Sequence, residues 1–367
     1  LNTRQNGYDI SADALGYPES YYTPPAQAID RIEVVRGAAS LQYGTQFGGL
    51  LNFVLKKGVA DRPIAVSSET TVGSFGMFSQ AISSGGQAGT LNHYTFIQYR
   101  RSDGWRPNSG FQQRTFISRL KWTVSDDFSI GTDFTHMHYL AQQPGGLQDF
   151  EFSQNPRQSK RTRNWFEVNW TLAAIHADWQ LSERTRLNSR TFGLYAHRMA
   201  LGELGPINRP DPMRNRNLID GHYRNLGHET RLIHRYGSPT LPQVFLVGAR
   251  LYKGNTHNRQ GEASDGGGAD FEFLYPDNLE QSDYIFPGSN LAIFAEHIIR
   301  LSSRLSITPG VRAERIQTSS DGYYKYRVIS GGDVILDQRI QDQQSRIRSF
   351  VLAGIGLSYQ FGAHDTE

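Results

Sequence analysis

The chain of 367 residues has no cysteine. That absence removes disulfides, thiolate metal centres and cysteine nucleophiles together, and it suits an oxidising compartment without requiring one. Long apolar runs are missing as well: no stretch reaches the roughly 18 residues that a helical membrane span needs. Charge of one sign is also lacking, since 38 Lys and Arg face 35 Asp and Glu, a net +3, so no global field points to nucleic acid or to an anionic surface. The opening "LNTRQNGYDISADALGYPES" has neither the basic start nor the apolar core of a signal peptide, and it reads as the interior of a longer chain.

What is present is aromatic and β-forming. Mean hydropathy is −0.52 with 12% aromatic residues. A transmembrane β-barrel fits such a balance, because only every second residue of each strand has to face lipid. After Gly58 the chain falls into segments rich in aromatic and β-branched residues, which predict twelve strands. They lie near 63–73, 77–85, 91–101, 111–123, 128–139, 165–179, 185–198, 222–236, 243–253, 290–300, 304–316 and 346–361. Alternation is clearest in "RLSITPGVRAERI", where Leu305, Ile307, Val311 and Ala313 share one face and Ser306, Thr308, Arg312 and Glu314 the other.

The connections alternate in length. "GGQAGT", "SDD", "SERT", "GSPTLP" and "LSS" are short; between them come "SDGWRPNSG", 140–164, 200–221, 254–288 and 317–345, which are long and polar. Only the first hairpin tip, "SFG", breaks the scheme. A soluble sandwich has no reason to gather its long loops at one end, whereas an outer-membrane barrel has short periplasmic turns and long extracellular loops.

The stretch "IDRIEVVRGAASLQYGTQFGGLLNFVLKKG", 29–58, resembles a phosphate cradle only at first sight. Neither Gly-Lys-Ser/Thr at a helix start nor G-x-G-x-x-G is present, and "LLNFVLKKG" reads as a strand. The stretch instead resembles the plug signature of TonB-dependent outer-membrane receptors: an "IERIEV"-type strand, Arg-Gly, a small-residue turn, Tyr-Gly, Gly-Gly and an Asn-containing strand ending in Lys-Lys. That resemblance implies that Arg36 ties plug to barrel wall through salt bridges. Within the family, "SDGWRPNSG", "QQPGGLQDFEF" and "LSITPGVRAERI" resemble, in order, elements of the ferric dicitrate receptor branch. Gln46 then matches a glutamine of that branch's ligand pocket, although "TQF" is one residue shorter than the usual spacer.

The resulting expectation is an all-β chain: the C-terminal part of a plug at 1–58, then at 59–367 the N-terminal half of an antiparallel transmembrane barrel, about twelve of roughly 22 strands. The resemblance implies TonB-energised import of a ferric chelate, ferric citrate or a similar anionic siderophore, across the bacterial outer membrane. TonB, lipid and lipopolysaccharide are the expected partners. No nucleic acid, no cofactor beyond the transported iron and no enzymatic activity are expected; the alternative output is signalling or adhesion.

Two basic segments, "QNPRQSKRTRN" and "INRPDPMRNRN", supply Arg161, Arg163, Arg209, Arg214 and Arg216 as candidate ligands for the chelate's carboxylates, since Arg forks suit that geometry. The acidic stretch 254–288 reads as a flexible, solvated lid. His136 and His138 share a strand face but lack a third ligand, and read as a satisfied or lumen-facing pair rather than a metal site.

Overall fold

A computed structural model of the chain describes residues 2–35, 41–44, 49–331 and 333–361, without the side chains of 329 and 333. Four short strands come first: β1 (Asn2–Gln5), β2 (Tyr8–Asp9), β3 (Ile29–Val35) and β4 (Leu50–Leu55), in the spatial order β2-β1-β4-β3. Twelve strands follow in a second sheet: β5 (Ala65–Gly73), β6 (Met77–Ala88), β7 (Leu91–Ser102), β8 (Phe111–Thr123), β9 (Phe128–Gln142), β10 (Trp165–Ser182), β11 (Thr185–Gly202), β12 (Arg216–Ser238), β13 (Leu241–Ala263), β14 (Ser282–Arg300), β15 (Leu305–Ser330) and β16 (Asp333–Tyr359). Each pairs antiparallel with its sequence neighbour. β5 and β16 are the two edges, so this sheet does not close on itself.

All twelve expected strands exist, and the β5–β6 tip at 74–76 is short as read. The strands nevertheless run further than alternation indicated. β12 and β13 have 23 residues each, β15 has 26 and β16 has 27, against the roughly 9–11 that cross a bilayer. The expected loop 317–345 is instead the far end of the β15–β16 hairpin, paired from Leu305↔Tyr359 to Ser330↔Asp333. Above a membrane both strand faces meet water, so the pleat leaves no hydrophobic alternation to read, while the backbone ladder continues.

Parity separates the two faces. On β12, Tyr223, Asn225, Glu229 and Arg231 point at the small sheet, while Leu226, of opposite parity, is exposed. The outward face carries an apolar band that includes Ile97, Phe116, Ile175, Leu251, Leu291, Ile293, Val311 and Val351. Toward the short turns, Trp122, Trp179, Tyr236, Phe245 and Tyr359 form an exposed aromatic border, as at a membrane interface.

The small sheet sits in the concave face of the large one. Twelve strands at about 4.8 Å spacing would span roughly 50 Å if flat, yet the four-stranded unit and its connections touch residues from β5 to β15: Gln27 meets Glu69, Gln98 meets Gln27, and Arg312 donates to the Leu41 and Gln42 carbonyls. The wall therefore curls around a plug. Its lumen is partly apolar: Tyr8, Ile10, Ala12, Tyr22 and Phe53 pack against Val168, Trp170, Leu172, Phe192, Leu194 and Tyr223 in one buried cluster.

Candidate ligand-binding face and plug contacts

Beneath that apolar cluster the plug is held by buried charge. Arg4, 1% exposed, lies 3.7 Å from Glu229 on β12; Arg250 on β13 lies 3.9 Å from Glu229 and 3.3 Å from Asp9. Arg231 also pairs with Glu229. Burial pushes the Arg4 guanidinium down to about 10, with Glu229 acting in the opposite direction, so it stays charged at neutral pH. Burial would raise the Asp9 carboxyl, but Arg250, Arg4 and the Ser11 hydrogen bonds hold it below its ordinary value. Tyr43, of the plug signature, lies between two cations: Arg4 is 4.7 Å and Arg231 5.1 Å from its ring centre.

Two further anchors are polar. Asn6 donates to Asp133 at 2.7 Å, and Arg119, ion-paired with Asp133 at 2.9 Å, donates to the Leu55 and Lys56 carbonyls at 2.6 and 2.8 Å. Gln42 reaches Glu296 through its amide N–H at 2.9 Å and its side chain at 3.2 Å. Sequence reasoning placed the tether at Arg36; Arg36 and Gln46 both lie outside the described residues.

The plug leaves the lumen where Gly58 crosses the β6–β7 hairpin. Asn92 clamps its backbone from both sides, accepting from the amide at 3.0 Å and donating to the carbonyl at 2.9 Å. A Cβ on Gly58 would stand 2.3 Å from the His93 carbonyl and 2.4 Å from the Gly86 nitrogen, so only glycine fits.

Of the five arginines expected to meet a ligand, three are built into the loops. Arg161 is buried and donates to the carbonyls of Glu203, Pro206 and Arg209. Arg163 forks onto Asp211 at 2.6 and 3.1 Å and donates to the Asp265 carbonyl at 2.6 Å. Burial would raise the Asp211 carboxyl, but Arg163 and the Met213 amide hold it below its ordinary value. Arg216 reaches the Ser264 and Gly268 carbonyls and Asp270. These arginines tie 143–164, 203–215 and 264–281 together. Arg209 and Arg214 are exposed, and their side chains make no hydrogen bond or ion pair among the described residues.

The acidic stretch is likewise not a free lid. Phe271 and Phe273 pack on Met199, Leu201, Leu218 and Ala263, Leu279 is fully buried, and Trp165 donates to the Gly267 carbonyl at 2.9 Å. Met199, Leu201 and Leu218 have outward parity, so this loop folds back over the outside of the wall. His136 and His138 also point outward rather than into the lumen. Both are satisfied, His136 by Thr171 at 2.9 Å and His138 by Glu167 at 2.7 Å.

The sequence reading passed over the lumen face on the loop side of the plug. Tyr17 stacks on Tyr21 and Tyr223 at 6.2 and 5.7 Å, and Tyr21 meets Phe166 at 5.6 Å and Trp170 at 6.2 Å. Arg198, just below the end of β11, lies over Tyr21 and Phe166 at 5.4 and 5.3 Å. Its Nε is buried without a hydrogen-bond partner, and no acid faces it among the described residues. Among the described residues Arg100 likewise meets only a ring, Phe111 at 5.9 Å, which stands 6.1 Å from Tyr139. Burial and the Tyr21 hydroxyl push the Tyr17 phenol up, keeping it a donor. Aromatic faces with unpaired guanidinium donors suit a flat anionic ligand.

Among solved structures, the unliganded ferric citrate transporter FecA is similar with a TM-score of 0.77 and 18% identity, over 98% of this chain and 52% of that one. The fold is that of a TonB-dependent receptor. The siderophore receptor PiuA from Acinetobacter baumannii matches at TM-score 0.72 and 10% identity, over 98% of this chain and 55% of its own. The copper transporter OprC matches at 0.72 and 14%, over 99% and 53%. This chain thus spans about half the length of the TonB-dependent receptor structures it resembles, in an outer-membrane plug-and-barrel fold. No family model matches the chain.

Proposed function

We propose that the chain is the end of the plug and the first half of the barrel of a TonB-energised importer, which carries a ferric chelate across the bacterial outer membrane. The supporting observation is the contrast between two sets of arginines. Arg161, Arg163 and Arg216 of the loops are engaged by carbonyls and carboxylates, whereas Arg198 and Arg100 face the lumen over aromatic rings with no acid partner among the described residues. An anionic chelate entering there gains charge-assisted hydrogen bonds that the protein does not itself complete. Arg209 and Arg214, exposed on the loop above, would make a first contact. The similar structures, a ferric citrate transporter, a siderophore receptor and a copper transporter, keep the cargo class broader than ferric citrate. An open sheet edge in lipid is not viable, which supports further strands closing β5 onto β16.

The remaining partners follow the same reading. TonB would pull on the plug, and no catalytic role is assigned. The apolar band would lie in lipid, with exposed Arg101, Arg114, Arg224, Lys253 and Arg315 at its loop-side border meeting the phosphates of lipid or lipopolysaccharide.

The test is isothermal titration of the complete receptor with ferric citrate. Wild type is expected to bind, Arg198→Ala to weaken binding by about tenfold or more, as loss of one charge-assisted bond implies, and the Arg209→Ala, Arg214→Ala pair to weaken it less. No binding by wild type rejects ferric citrate as cargo. Unchanged affinity in Arg198→Ala removes the aromatic face from the site.

A further inference from the structure

Three adjacent strands each carry a histidine at the same height on the outer wall. His197 on β11 pairs in register with His222 on β12, and His222 with His257 on β13. All have outward parity, beyond the last exposed leucines of the band, Leu226 and Leu251, on the loop side. The His197 and His222 rings stack at 3.9 Å and 15°, and the His257 ring is 6.4 Å from that of His222. Asp220, two residues from His222 on the same face, puts Oδ1 2.5 Å from His197 Nε2 and 3.2 Å from His222 Nε2. One potential ligand atom from each of His197, Asp220 and His222 lies within 4.8 Å of the others.

We propose that His197, Asp220 and His222 form a binding site for a divalent transition cation on the outside of the barrel, above the lipid band. Two imidazole nitrogens and one carboxylate oxygen lie within 4.8 Å of one another, and zinc, copper and nickel prefer that donor set where magnesium and calcium require oxygens. The three ligands stand on neighbouring strands whose spacing the ladder fixes, so little ordering accompanies binding. Both histidines are about one quarter exposed, which leaves the cation a path from solution, whereas Asp220 is 5% exposed. Around the set, Arg259 holds the other Asp220 oxygen, and Asp283 orients His257 through Nε2 at 2.7 Å. Arg259 is the competitor: it neutralises the carboxylate that the metal would use. The site lies on the opposite side of the wall from the aromatic face and is independent of what that face carries.

Equilibrium dialysis of the complete receptor in detergent against zinc chloride, compared with its variants, tests the assignment. Wild type should take up one zinc ion more per chain than His222→Gln, whose affinity at that site should fall by at least about tenfold. His136→Gln, an outward histidine bonded only to Thr171, should bind as wild type does. Arg259→Gln, which alters no ligand, should bind zinc more tightly. Copper(II) bound to wild type should show two-nitrogen hyperfine structure that His197→Gln reduces to one. Equal zinc uptake by wild type and His222→Gln, a matching loss in His136→Gln, or weaker binding in Arg259→Gln each overturns the proposal.

Discussion

Replacing Glu229 with alanine should loosen the plug from the wall by about 3–5 kcal/mol, the usual cost of breaking a buried ion pair from one side. Glu229 is 4% exposed and is the carboxylate shared by Arg4, Arg231 and Arg250. Each contact near 3.8 Å is worth about 4 kcal/mol gross at an effective dielectric of about 20, most of it cancelled by the water the ions gave up on burial. Removing the carboxylate leaves the desolvation of the arginines in place and three guanidinium groups near one another, with Asp9 as the remaining counter-charge beside Arg250 and Arg4 among the described residues.

Hydrogen exchange read on the 2–13 peptide of the complete receptor in detergent measures the effect directly. Protection should fall by roughly two to three and a half orders of magnitude, at 1.4 kcal/mol per tenfold change. The double variant Arg4→Met, Glu229→Met should recover part of the loss, because apolar side chains of similar size replace one pair and leave two guanidinium groups, Arg231 and Arg250, without the shared carboxylate instead of three. Asp61→Ala, which breaks only an exposed pair with Arg62, should change nothing measurable. Unchanged protection in Glu229→Ala would refute the reasoning, since the plug would then be held by the apolar cluster and the other polar anchors without this ion cluster.

Three other outcomes are expected. The Asp9 carboxyl is depressed in the folded state, so its contribution is complete above its ordinary value of about 3.9 and is lost as pH falls through the lower folded value; protection of 2–13 should stay flat from neutral pH down to about 5 and fall in stronger acid. Gly58→Ala should cost about 1–3 kcal/mol or block folding, because its Cβ meets backbone rather than a movable side chain; refolding yield into detergent checks it. Ile293→Arg, on an outward residue 57% exposed in the band, should destabilise the barrel in lipid vesicles by about 2–4 kcal/mol, while Lys253→Ala, nearer the loops, should have no comparable effect in the same urea titration.

The barrel was legible because lipid and lumen impose opposite demands on alternate residues, as Val311 and Ala313 against Arg312 and Glu314 show. Legibility stops where that contrast stops. "QTSSDGYYKYRVIS" lies mostly beyond the bilayer, where water wets both faces, and its strand state depends on pairing with a distant segment that carries no pattern of its own. On β10 the opposite happens: Val168, Trp170 and Leu172 face the plug while Ala173 and Ile175 face outward, so both faces are apolar and parity cannot be read. The plug tethers were hidden for a different reason, because Arg4 and Glu229 are 225 positions apart and only the curled wall brings them together.

The arginines expected to bind ligand make the same point. A sequence displays the cations of a loop but not the carbonyls that will surround them. Arg161 has five N–H donors at most, and the backbone of 203–209 accepts enough of them that a chelate would have to displace satisfied bonds. Arg198 is a less conspicuous residue, inside "LYAHRMALG", with no neighbouring cation to draw attention to it. Its environment makes it the better candidate: two aromatic faces below it, no carboxylate beside it among the described residues, and a buried Nε that still lacks an acceptor. A buried donor without a partner carries a desolvation cost of about 1–3 kcal/mol. An anion that supplies the missing acceptor recovers that cost on binding, whereas at Arg163 the same anion would first have to break the fork to Asp211. Under the proposed function, affinity for an anionic cargo should therefore depend more on Arg198 than on the more numerous arginines above it.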